Sequence, residues 1–172
     1  WLESPCEFAP EEDEYPPSDT ELQSLSRQLE VIKFLTSGEG TLGERLYTLL
    51  GGADDRGDTY VRLRTLYATL EVLDEHFSKS FSADVPLASD ARFIKLAAYF
   101  IYRYWFLLGE ELSVKFTAAS LVMIAAMGGE LSVAAKDYSK EIEYDPDNLE
   151  RIYGLLRGLE GIGALCRDVL CM

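Results

Sequence analysis

Histidine is nearly missing from this chain of 172 residues, which has a single one, His76, and only three cysteines, Cys6, Cys166 and Cys171. The cysteines lie near the two ends, show no C-x-x-C spacing and cannot pair off evenly, so metal chemistry is poorly provided for. Reduced thiols in a cytoplasmic protein are the expectation. Basic residues are also scarce: 16 Lys and Arg stand against 30 Asp and Glu, a formal charge of −14. Such a chain repels phosphate, which excludes nucleic acid as a partner unless cations cluster on one face. Nor is there an apolar run of the roughly 20 residues a bilayer requires, because Lys95, Arg103 and Lys115 interrupt the two most apolar stretches. No membrane span is expected.

Apolar residues are plentiful, at 48% with 12% aromatic, enough for one domain with a substantial core. The chain opens on Trp1 without a charged and then apolar leader, and we expect it to be a piece of a longer protein. Residues 1–17, "WLESPCEFAPEEDEYPP", mix prolines with acids and read as a solvated arm. Residues 18–172 read as a helical domain.

"SDTELQSLSRQLEVIKFL" opens with Ser18 and Glu21 in capping-box spacing, and Leu22, Leu25, Leu29, Ile32 and Phe34 or Leu35 keep a helical period. "TLGERLYTLLGG" repeats the device with Thr41 and Glu44 and ends in paired glycines. The stripe Val61, Leu63, Leu66, Tyr67, Leu70 and Leu73 predicts a third helix over residues 59–77, with His76 near its end and given no chemical role. Residues 91–108 and 113–127 are apolar nearly all round and read as two central helices of a soluble bundle. No strand-period segment competes. The fold class expected is all-α, a single-domain bundle of about six to eight helices.

"KDYSKEIEYDPDNLERIYGLL", residues 136–156, joins two helical patterns at Asp145 and Pro146. Leu131, Ala134, Ala135, Tyr138 and Ile142 share one face, from which Lys136, Lys140 and Glu143 point away. Proline disfavours helical geometry just before it and suits the first helical position, and Asp accepts from free amides. Two helices meeting at a capped corner are therefore predicted. Of the glycines that follow, Gly154, Gly158, Gly161 and Gly163 either weaken the segment or allow close helix contact.

The aromatic run Tyr99, Phe100, Tyr102, Tyr104, Trp105 and Phe106 reads first as packing and only second as a pocket. Arg103 within it is more informative, since a buried guanidinium needs a carboxylate to offset its desolvation. Glu141, at the edge of the Tyr138 face, is the first candidate, and Glu110 or Glu111 the next. Arg103, Glu141, Tyr99, Tyr102 and Tyr138 are thus the candidate ion pair or ligand site. A P-loop, a nucleophile elbow, H-E-x-x-H and a glycine-rich nucleotide loop after a strand are all missing, and no catalytic residue is assigned.

"YFIYRYWF" at 99–106, "SVKFTAASLVMIAAM" at 113–127 and "YSKEIEYDPDNLERIYGLL" at 138–156 resemble, in this order, the C-terminal region of the bacterial flagellin lysine-N-methylase family. "CEFAPEEDE", "QLEVIKFL" and "TLGERLYTLL" are similar to that family's middle region, so the resemblance covers nearly the whole chain. It implies methyl transfer to lysines of flagellin, with S-adenosylmethionine as donor and a cysteine-bound metal or iron–sulfur centre in the N-terminal part of the full-length protein. The family's cysteine cluster is missing here, and Tyr144 stands where the family tends to have histidine. The resemblance therefore implies a scaffold or a substrate-presenting part, whose partners are flagellin and a cysteine-rich N-terminal portion, with no cofactor of its own. The alternative is a stand-alone helical module that binds a small ligand or another protein.

Overall fold

The computed structural model describes residues 17–172, so the acidic arm, apart from Pro17, lies outside the described residues. Over them the chain forms α1 (Asp19–Ser37), α2 (Leu42–Leu50), α3 (Thr59–Tyr67), α4 (Glu75–Lys79), α5 (Arg92–Leu108), α6 (Glu110–Met127), α7 (Leu131–Tyr138), a π-helical turn (Ser139–Glu143), α8 (Pro146–Arg157) and α9 (Ile162–Val169). Among the described residues there is no strand, only an isolated bridge between Ala88 and Leu170. The all-α expectation holds. No helix among the described residues is long and apolar enough to cross a membrane.

The bundle is built around α6. From Val114 to Ala126 nearly every side chain of this helix is buried, because α2, α3, α5, α7, α8 and α9 all pack on it. An apolar pattern without a polar face is stable only in such surroundings. Gly109, at φ 75°, joins α5 to α6 as a one-residue turn, its amide donating to Trp105 O at 2.8 Å while its carbonyl accepts from Ser113 N at 3.0 Å. Most residues with a side chain are strained at that φ. On α5, Phe93, Ala97, Phe100, Ile101, Tyr104 and Trp105 face the core, whereas Tyr102, Phe106 and Leu107 stay exposed.

Both predicted capping boxes form: Ser18 Oγ accepts from Glu21 N, Thr41 Oγ1 accepts from Glu44 N, and each glutamate returns a bond to the cap amide. α1 runs antiparallel to α5, pinned where Trp105 Nε1 donates to Ser24 Oγ at 2.9 Å and Gln28 Nε2 donates to the carbonyls of Ile101 and Tyr102. Its buried residues are Gln28, Val31 and Leu35. The leucine stripe expected from the period, Leu22, Leu25 and Leu29, faces outward instead.

One further expectation needs correction. The third helix stops at Tyr67 rather than reaching residue 77, because the next segment is held from outside. Asn148 accepts from Glu71 N at 3.1 Å, Glu141 accepts from Leu73 N at 2.6 Å, and Arg151 donates to Thr69 O at 2.8 Å. Amides satisfied in this way have no need of helical partners. The ambiguity over the glycines also resolves. Gly161 and Gly163 sit at close contacts, with a Cβ on Gly161 falling 2.6 Å from Thr59 Oγ1, whereas Gly154 and Gly158 face open space.

Candidate functional site

The predicted corner is present: Asp145 accepts from Asp147 N at 2.9 Å and Asn148 N at 3.0 Å, and α8 starts at Pro146. What precedes it differs from the α-helical expectation. The turn Ser139–Glu143 is π-helical, its backbone bonds closing over five residues instead of four. In an α-helix Glu143 would sit about 140° round from Tyr138 and point away. The π turn brings it back beneath Tyr138, and its side chain is only 1% exposed.

Arg103 consequently pairs with Glu143 and not with Glu141: Nε lies 3.3 Å from Glu143 Oε1, and Nη1 donates to Tyr99 Oη at 3.0 Å. The guanidinium is 41% exposed, so the expectation of a buried arginine is also corrected, and it lies beside the rings of Tyr99 and Tyr104 within cation–π range. Glu110 and Glu111, the reserve candidates, are engaged by Arg27 and Lys115.

Glu143 Oε1 accepts from Tyr104 Oη at 2.9 Å and from Tyr99 Oη at 3.1 Å. Burial, and next the charge of Glu143, push the phenols of Tyr99 and Tyr104 above the usual tyrosine range. Tyr153 is pushed up to about 12 by the same two causes, and its buried hydroxyl has no hydrogen-bond partner among the described residues. Its ring packs edge-on to Phe116, which in turn meets Tyr104.

The remaining candidates make no hydrogen bond to Glu143. Tyr138 is fully buried, its hydroxyl 2.6 Å from that of Tyr67 and 2.9 Å from Ser120 Oγ. Glu141 is buried too, but it holds the Leu73–Asp74 backbone and is met by Lys140 at 3.3 Å. Tyr102 projects outward, 71% exposed. The residues the sequence reading missed are Glu143, Tyr104 and Tyr153, of which only Tyr104 carried a signal, as part of the aromatic run.

Beside the ion pair runs an open groove of about 480 Å³ lined by Leu25, Gln28, Tyr99, Tyr102, Arg103 and Phe106. Gln28 is 1% exposed and its Oε1 has no hydrogen-bond partner among the described residues. Chemically, the centre gathers two phenols and a guanidinium on one oxygen, Oε1, of the Glu143 carboxylate. Cys166 is buried, which pushes its thiol well above the usual range, and no three His, Cys, Asp or Glu side chains converge among the described residues in a way that could hold a metal ion. Comparison of the chain with protein-family models, with curated proteins and with solved structures finds no match in any of the three.

Proposed function

We propose that this chain is the helical C-terminal part of a flagellin lysine-N-methylase-like protein and acts there as a scaffold or substrate-presenting part. The observation that carries the reading is the convergence on Glu143. Tyr99, Arg103 and Tyr104 come from "YFIYRYWF", Phe116 from the second motif, and Glu143 and Tyr153 from the third. Segments tens of residues apart, recognised as an ordered set, thus contribute to one polar centre with an open groove beside it.

Transfer of a methyl group to lysine needs a donor site and a neutral ε-amine held in line with it. On this reading S-adenosylmethionine and a cysteine-bound centre belong to the rest of that protein. Mass spectrometry of flagellin tests the reading. With donor and this chain alone the lysines keep their mass; with the full-length gene product they gain methyl increments, and Arg103→Ala in that product lowers the gain. Donor-dependent methylation by this chain alone, or a full-length product that lacks a cysteine cluster and transfers nothing, overturns it.

A second reading, a stand-alone module for a small ligand or another protein, is favoured by the groove itself, whose aromatic walls and half-exposed guanidinium suit an apolar anion.

A further inference from the structure

Gln28, on α1, is 1% exposed, and only one end of its amide is engaged. Nε2 donates to Ile101 O at 3.2 Å and to Tyr102 O at 3.0 Å, and these two acceptors fix which end of the amide is nitrogen. Oε1 is thereby left as a buried acceptor with no partner among the described residues. Such oxygens are uncommon, because burial removes their water and returns no donor.

Arg45 Nε and Tyr153 Oη share this condition. Gln28 differs from them in lining the groove of about 480 Å³ between α1 and α5. The other walls that matter are Leu25, Tyr99, Tyr102 and Phe106, three aromatic rings and a leucine, which suit a flat apolar ring. A ligand that filled this groove with an acceptor or a plain hydrocarbon would leave Oε1 as it is. One that carried a donor would satisfy it.

We propose that the groove binds an aromatic carboxylate whose ring carries an N–H, of the indole type, with the ring against Tyr102 and Phe106 and the N–H donated to Gln28 Oε1. The inference rests on the second reading above, which supplies the apolar anion, and adds the donor. Since Gln28 is covered, the ligand enters by parting the exposed side chains of Leu25, Tyr102 and Phe106, and exposed side chains change rotamer within nanoseconds.

Indole-3-acetate and its benzofuran isostere, in which oxygen replaces the ring N–H, provide the test, because they share acid, shape and nearly all their apolar surface. Both are titrated calorimetrically into the full 172-residue chain. Indole-3-acetate binds, the benzofuran acid binds about 10-fold or more weakly, and Phe106→Ala, at an exposed position, weakens both. Gln28→Leu removes the acceptor and makes the two acids equal; should it fail to fold, as circular dichroism would report, the comparison on the unaltered chain still decides. Equal affinity of the two acids for the unaltered chain overturns the inference while leaving the groove reading in place, and is the result if a buried water serves Gln28 instead. Saturable binding of neither acid overturns both. Binding that Phe106→Ala leaves unchanged puts the ligand elsewhere and overturns the inference as well.

Discussion

Arg103 Nε and Glu143 Oε1 are 3.3 Å apart, a cation 41% exposed closing over a carboxylate that is 1% exposed. The asymmetry sets the cost of breaking the pair. Arg103→Ala leaves Glu143 with two phenol donors and a route for water through the vacated space, so the loss is about 1–2 kcal/mol, below that for a fully buried pair. Urea unfolding checks it, and a loss above about 3 kcal/mol would mean the pair is closed to solvent.

Glu141 and Asn148 act on the chain between α3 and α4, so their removal should loosen that segment first. Glu141→Ala strips the acceptor from Leu73 N and Asp74 N and should cost about 1–3 kcal/mol, with faster hydrogen exchange at Leu73. Glu141→Gln retains an acceptor oxygen and should preserve most of the protection. Equal exchange rates in the two variants would contradict this account.

Asp145 caps α8 through two amides, and Asp145→Ala should lower stability by about 0.5–2 kcal/mol, read from the denaturation midpoint. Asp145→Asn retains a capping oxygen and should recover most of the loss.

Two glycine-to-alanine changes should have opposite signs. A Cβ on Gly43 would fall 2.3 Å from the Cys166 carbonyl, so Gly43→Ala forces α2 from α9 and should cost about 1–3 kcal/mol. Gly154, inside α8, has nothing within 4 Å of that position, and Gly154→Ala should stabilise by about 0.5–1 kcal/mol. Thermal melts of both decide the matter.

Stability should fall at alkaline pH. Burial raises the phenols of Tyr67, Tyr138, Tyr104 and Tyr153, so the folded state holds these protons more tightly than the unfolded state does. Their contribution is complete below pH 10.0, the ordinary tyrosine value, and for Tyr153 is lost as pH rises through about 12. Absorbance of tyrosinate should therefore rise together with loss of helical dichroism. Full ionisation with the helices intact would refute it.

The helix starts were legible because a cap is a local affair: Ser18, Thr41 and Asp145 each lie next to the amides they serve. The helix-3 boundary was not, since Glu141 and Asn148, the groups that capture residues 71–74, lie about seventy positions further on. Glu143 was assigned outward because a pattern read at 3.6 residues per turn carries that phase past Ser139, and no residue preference announces a π turn. The α1 leucines show a different limit. Periodicity identifies an apolar face but not what lies against it.

The amides of Leu42 and Gly43 donate to the carbonyls of Met172 and Leu170, and Ala88 exchanges bonds with Val169 and Cys171. On a ribosome these acceptors do not yet exist when α2 emerges. Gly43 precedes Leu170 by 127 positions, so at ~5–20 residues per second its partner follows roughly 6–25 s later. For that interval the α2 surface that will receive α9 stands bare. A nascent chain of this protein should accordingly be a client for chaperones that shield apolar helices during translation.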